Sequence, residues 1–301
     1  MRTLLPVNPL WRIAVGDAAK ARRACHSAGI RLRRFAGQLA ENATDPRLGV
    51  TVRLPNGWQL RGFYGKYYQP PPLVSLSGPL LQYASSSNLG FLPLHRERDT
   101  ESQVGLAIPL AGWMLDVDHF RTSARNFFDH NPIGSSDIFL PLTITGALIR
   151  GSELTLRSPR FFNGLRVHIA YSNQTARGFG TVSGGLTDFS PPGGYYGLDH
   201  DQRNTLNAGV EADLPGQAYA SCNLYSGSGF SNADAPPSHL SSYVTLDATI
   251  GKSFGSDLRV SLTVLNLTDR HLLIDNSLTF DGMHYNAPRQ IYAQIQYGVH
   301  Y

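Results

Sequence analysis

The sequence is poor in charge, in cysteine and in unbroken apolar runs, and each shortage removes a class of protein. Of its 301 residues only 16% are Asp, Glu, Lys or Arg, well below the roughly 25% of a soluble domain. The net charge is +4, and the excess is not gathered into the basic stripe that nucleic acid binding needs. No stretch of the chain approaches the roughly 18 apolar residues of a helical membrane span. Cys25 and Cys222 are too few for a disulfide framework, and Cys222, in an alternating apolar stretch, is read as one more small apolar residue. At the start of the chain, Pro6, Asn8 and Pro9 interrupt the short apolar opening. No export signal is read there.

What fills the gap left by charge is Gly, Ser, Thr, Asn and Tyr, set in strict alternation with aliphatic residues. In the closing stretch, Ile291, Ala293, Ile295, Tyr297, Val299 and Tyr301 alternate with Tyr292, Gln294, Gln296, Gly298 and His300. Successive side chains of an extended strand point to opposite faces, so this is a strand with one apolar and one polar face. The pattern recurs upstream in pairs joined by short turns. Leu48 to Leu54 turns at Pro55-Asn56-Gly57 into Trp58 to Tyr64, and Val104 to Leu110 turns at Ala111-Gly112 into Trp113 to Val117. Three further hairpins turn near residues 159 to 163, at Pro215-Gly216 and at Gly255-Ser256-Asp257. With the last strand and a weaker one near Ile30 to Gln38, about twelve strands of roughly ten residues are expected.

The connections between the hairpins are different. Those near residues 69 to 101, 124 to 146, 175 to 202, 227 to 241 and 268 to 288 are long and rich in Gly, Pro, Ser, Asn and aromatics. Connections beyond about 12 to 15 residues are uncommon in compact domains, yet here all fall on one side of the sheet. Short turns on one rim and long loops on the other predict an all-β fold, an antiparallel transmembrane β-barrel of which this chain is a part. A bilayer offers no hydrogen-bond partners, so apolar side chains face lipid and polar ones a wet lumen. Tyr297 and Tyr301 suit the aromatic girdle at the interface, and Trp58 and Trp113, just after short turns, reach the same girdle. A soluble β-sandwich that binds carbohydrate also alternates its strand faces and is the rival from another class. It would need bulky residues where this sequence has Leu, Val, Ala and Ile.

Three segments carry a family resemblance. The run from Asp99 to Pro159, the "NLTDR" from Asn266 to Arg270, and the end from Leu278 to Tyr301 resemble the C-terminal barrel half of TonB-dependent outer-membrane receptors. The likeness is nearest to the group whose N-termini often carry a carboxypeptidase-regulatory-like domain. It covers residues 29–301 and leaves residues 1–28 unassigned. The resemblance implies a barrel of about 22 strands around an N-terminal plug, energised ligand uptake driven by TonB, and location in the outer membrane among its lipids. It also implies that Tyr297, Val299 and Tyr301 form the signal read by the barrel-assembly machinery. No plug or TonB box is found and only half the strands are, so a fragment of a receptor gene is expected rather than a complete transporter. A small self-closing pore or adhesin is the first alternative to this reading, and the soluble sandwich the second.

No catalytic, metal or cofactor constellation is read. Asp116 and Asp118 share the polar face, but His119 falls on the other, so the three do not converge on a metal. Asp199-His200-Asp201 and Asp129-His130 lie in long loops. Gly178-Phe179-Gly180 lacks the strand-to-helix setting of a dinucleotide site, Ser226 to Gly229 lacks a nucleophile elbow, and the Asn42, Asn173 and Asn266 triplets are chance glycosylation matches. Loop aromatics that can stack on a ligand are Phe127, Phe128, Tyr195 and Tyr196, with His130 and Asp199 as polar company. The alternative is that these rings pack the loops together. The polar-face charges Arg61, Asp116, Glu153 and Arg166 are expected to meet a plug or each other.

Overall fold

A computed structural model describes residues 24–36, 40–70, 96–132, 139–162, 164–184, 193–198, 201–232, 236–276 and 283–299. Five tight turns organise it. Left-handed residues bend the chain at Asn56-Gly57, Ala111-Gly112, Phe162 and Gly164, Gly216-Gln217 and Gly255, conformations that reverse a strand with its natural twist. They join β2 (Ala40–Arg53) to β3 (Gln59–Gln69), β4 (Glu97–Leu110) to β5 (Trp113–Pro132), and β6 (Phe139–Arg157) to β7 (Arg166–Gly184). They also join β9 (Asn204–Leu214) to β10 (Ala218–Gly227), and β11 (Tyr243–Phe254) to β12 (Leu258–Leu265). β1 (Ala24–Ala36) precedes the first hairpin, β8 (Tyr195–Gly197) lies in a long connection, and β15 (Gln290–Tyr297) follows a small hairpin of β13 (Leu273–Asp275) and β14 (His284–Tyr285).

All pairings are antiparallel, and the strands lie in chain order along one path, β1-β2-β3-β4-β5-β6-β7-β9-β10-β11-β12-β15, with β8 added beside β7. The sheet is open: among the described residues, β1 and β15 each pair on one side only. The five expected hairpins and twelve principal strands are all present. The weak strand expected near Ile30 begins earlier, at Ala24.

Register shows why the sheet holds one orientation. Across seven strands, Ile108, Leu115, Leu156, Ile169, Ala208, Leu224 and Leu246 stand opposite one another in a single row. Beside it, Val52, Leu60, Leu106, Val117, Leu154, Tyr171 and Leu206 make another. A slip by one residue would send each whole row to the polar face, so the register is strongly specified. No second sheet covers these rows among the described residues: Val104 is 52% exposed, Ile250 56% and Ile295 73%. A sandwich buries this face, whereas a membrane strand turns it to lipid. Residues alternating with the rows include most of the polar ones, and every carboxylate between the turn rim and Glu97 on β4 and between the turn rim and Asn126 on β5 lies on that second, inward face.

Strand length departs from expectation. β5 has 20 residues and β6 and β7 have 19 each, about twice what a bilayer crossing needs. The outward residues stay apolar through Val117, Leu154 and Tyr171, pass through His119, Ser152 and Asn173, and then become Arg121, Arg150 and Thr175, which are paired in one row. Backbone pairing continues past that point, so the connection expected at 124 to 146 is largely strand.

Candidate functional site

The inward face carries a charge network built across a missing side chain. Arg61 on β3 donates from Nη1 to Asp116 Oδ1 at 2.7 Å and from Nη2 to Asp118 Oδ2 at 2.8 Å, both on β5. Strand β4 runs between them, and its residue in register with both Arg61 and Asp118 is Gly105. A Cβ at Gly105 would lie 1.9 Å from Asp118 Oδ1, so only glycine leaves the fork its path. Gln103 donates to Asp118 Oδ1 at 3.3 Å, and Arg157 stands 3.8 Å from Asp116 Oδ2. Further along the same face Arg166 meets Glu211 at 3.0 Å. Arg61, Asp116 and Arg166 thus pair with other barrel residues. Glu153 lines a polar hollow of 350 Å³ with Ser172, Asn207, Tyr225 and Tyr243. His119 points outward, its Nδ1 3.0 Å from Ser152 Oγ, away from the two aspartates that Arg61 joins.

Removing Arg61 leaves two carboxylates facing each other on a half-buried wall. Arg61→Leu is expected to destabilise the folded chain by about 2 kcal/mol, read from urea titration in detergent. Adding Asp116→Asn and Asp118→Asn should recover most of that loss. An equal or larger loss in the triple variant would contradict the charge account.

Above the apolar band the inward face closes over a small apolar cluster of Ala124, Leu142, Ile144, Ala147 and Leu198, against which Phe127 and Tyr196 pack. Two of the loop aromatics singled out in the sequence therefore meet. Tyr196 lies on Gly178, where a Cβ would be 2.8 Å from its ring. Tyr195 is 56% exposed, with its ring edge-on to Phe179 at 5.3 Å. Phe128 is half-buried, and its amide donates to Glu97 Oε2 at 2.7 Å. His130 is exposed next to Asp129, outside the cluster. Asp199 and Tyr301 lie outside the described residues. Tyr297 pairs with Leu258 and is 67% exposed, and Val299 is 61% exposed.

Glu97 was not legible in the sequence as special. It lies on β4 beyond the apolar band, and burial pushes its carboxyl up to about 7, opposed by the Phe128 amide and helped by Asp99. Burial also raises Asp99, while a hydrogen bond from Glu97 lowers it, so Glu97 holds the proton of the pair. A carboxyl raised on folding stabilises below its ordinary range and loses that contribution as pH climbs to the folded value. Pairing near Phe128 is therefore expected to be tightest below about pH 4.5 and to loosen up to about pH 7. Hydrogen exchange at the Phe128 amide reads it, and Glu97→Gln should remove the dependence. A pH profile unchanged in that variant would contradict it.

Comparisons with known proteins agree with this geometry. The family described as TonB dependent receptor-like, beta-barrel matches residues 27–267. The ferric-catecholate import receptor Fiu of E. coli K12 superposes with a TM-score of 0.64 at 16% identity, covering 91% of this chain and 42% of that one. The siderophore receptor PiuA of Acinetobacter baumannii gives 0.64 at 12% identity over 91% and 41%. The copper transporter OprC gives 0.66 at 12% identity over 92% and 46%. The chain thus spans less than half the length of these solved structures. No curated protein matches it. The matched family consists of outer-membrane transport receptors, not enzymes. Its match over 241 of 301 residues, 27 through 267, together with an open sheet that is apolar outside and charged inside, shows that this chain belongs to the TonB-dependent receptor-like β-barrel family.

Proposed function

We propose that the chain is the C-terminal part of the barrel wall of an outer-membrane receptor that takes up chelated metal ions by energised transport. The observation that carries this reading is the two-faced sheet: aliphatic rows outside, and inside a wall whose charges are paired, as in Arg61 with Asp116 and Asp118. Such a wall lines a wet lumen and performs no chemistry of its own, so the chain is read as a non-enzyme. Its neighbours in fold are a ferric-catecholate receptor, a siderophore receptor and a copper transporter, which supports a metal chelate as the cargo class. In the complete receptor a plug would sit against the polar hollow around Glu153, and TonB would act on that plug.

The barrel portion in this reading begins with β1 at Ala24, ahead of the boundary expected at residue 29, since Ala24 to Ala28 pair with Leu48 to Val52. The mouth aromatics Phe127, Phe128, Tyr195 and Tyr196, with His130 and Asp199, are the ligand-side candidates. Phe127 and Tyr196 are largely occupied with packing, which makes exposed Tyr195 the better contact. Tyr297, Val299 and Tyr301 serve the barrel-assembly machinery. Radio-iron uptake from a ferric catecholate, in cells with and without the gene that encodes the chain, tests the function. Gene-dependent uptake that a protonophore abolishes is expected. Gene-dependent uptake that persists with the protonophore would favour a passive pore.

A further inference from the structure

Above the apolar rows the outward face passes through His119, Ser152 and Asn173 and then becomes cationic. In three successive rows above the band, counted towards the loops, stand Arg121 opposite Arg150, then Lys66 with Arg177 at the two ends, then Arg98 opposite Arg125. All six side chains are exposed. None has a carboxylate within salt-bridge distance among the described residues. Arg177 acts electrostatically on Asp201. Between the turn rim and Asn126, the carboxylates of β4 and β5 lie on the inward face, as does Glu153 of β6, while β3 and β7 contain none.

Residues directly opposite on antiparallel strands stand about 5 Å apart at Cβ, and like charges there repel. Arg98 with Arg125, and Arg121 with Arg150, are two such pairs, with the row of Thr100 and Ser123 between them. The hydroxyls of Ser102, Thr100, Ser123 and Thr175 fill the places between. A guanidinium pair flanked by hydroxyl donors suits a phosphate, which accepts forked bonds from arginine. Immediately below lie Val104, His119 and Ser152, and below those the continuous row through Leu106, Val117 and Leu154. The cations therefore begin where acyl chains give way to headgroups.

We propose that the outward patch on β3 to β7 is a binding surface for lipid headgroups whose phosphate carries net negative charge, and that these neutralise the opposed arginine pairs. The patch rests on the membrane reading above, since it is continuous with the lipid-facing rows. Its occupant is a lipid because one molecule can then satisfy both levels, phosphate on the cations and acyl chains on the aliphatic row below.

The test uses the full chain reconstituted in phosphatidylcholine vesicles that carry a trace of spin-labelled phosphatidic acid or spin-labelled phosphatidylcholine. Protease protection establishes insertion independently. The expected result is a motionally restricted fraction about fivefold richer in phosphatidic acid, falling to near parity in about 0.5 M salt, which screens headgroup charge. The double variant Arg121→Gln and Arg150→Gln should lose most of the preference while still inserting. Inserted chain that restricts both probes equally overturns the proposal, as does a preference unchanged by the double variant. Should that variant fail to fold, the salt titration of the unaltered chain decides alone: a preference indifferent to salt overturns it. Native chain that never inserts sinks the membrane reading itself, and this surface with it.

Discussion

Leu154→Arg is expected to block insertion of the sheet, destabilising the folded, membrane-embedded state by about 3 kcal/mol. Its neighbour Thr155→Arg should change that value by less than about 1 kcal/mol. The contrast follows from parity alone. Leu154 stands in the outward row between Val117 and Tyr171, next to the row of Leu115, Leu156 and Ile169, where a guanidinium would meet hydrocarbon without a partner. Thr155 faces inward opposite Asp116, beside Arg61 and water. Folding titrations in lipid vesicles, read by the gel mobility of folded and unfolded chain, give both values. Equal penalties at the two positions would mean that the faces do not see different solvents.

Asn266→Ala is expected to cost about 4 kcal/mol. Asn266 is 6% exposed at the exit of β12, and its amide makes a complete set of bonds there. Its Nδ2 donates to the carbonyls of Arg270 at 3.0 Å and Ala287 at 3.2 Å, while Oδ1 accepts from the Arg270 amide at 2.9 Å. Its own amide donates to Asp247 Oδ1 at 2.8 Å. Three side-chain bonds at about 1 kcal/mol each add to the penalty of about 1 kcal/mol for alanine in a left-handed conformation, since Asn266 has φ 50°.

Asn266→Gly should recover only the backbone part, about 1 kcal/mol. Nearby, Asp269 accepts from the Arg289 amide at 2.9 Å, so the two residues clamp the neck of the last long loop and deliver β15 to β12. Urea titration in detergent, read by β-sheet circular dichroism, measures both variants. A loss of under about 1 kcal/mol for Asn266→Ala would show that the clamp does not hold the neck.

The apolar alternation and the turn chemistry made the hairpins legible, because both are local. The turn at Ala111-Gly112 sets the pairing of β4 with β5, and from it Gly105 opposite Asp118 could be read. That Arg61 reaches across Gly105 could not, since β3 and β4 are joined through residues 70–96, whose length leaves their register free. The upper halves of β5, β6 and β7 were missed for a different reason. Above the bilayer a strand no longer has to be apolar on its outer face, so Arg121, Arg125 and Arg150 break the alternation while the backbone ladder continues.

β8 was hidden because three residues carry no period. Tyr195 and Tyr196 were picked out for their chemistry, and the structure explains Tyr196 by the glycine beneath it. Asn266 was noticed within "NLTDR" only by resemblance. Its work as a clamp depends on Ala287, 21 residues away, which no local pattern reveals. The acidic pair of Glu97 and Asp99 shows itself only when β5 closes over it with the Phe128 amide.

The most direct test places nitroxide labels, one at a time, at Leu154, Thr155, Ser261 and Leu262 of the chain reconstituted in vesicles, with Cys25 and Cys222 replaced by serine. Collision rates with oxygen, which concentrates in hydrocarbon, are compared with those of a water-soluble nickel chelate. Leu154 and Leu262 should meet oxygen and be shielded from nickel, and Thr155 and Ser261 should show the reverse. Labels at Leu154 and Leu262 shielded from both reagents would place those rows in a dry protein interior and contradict a sheet with lipid on one face and water on the other.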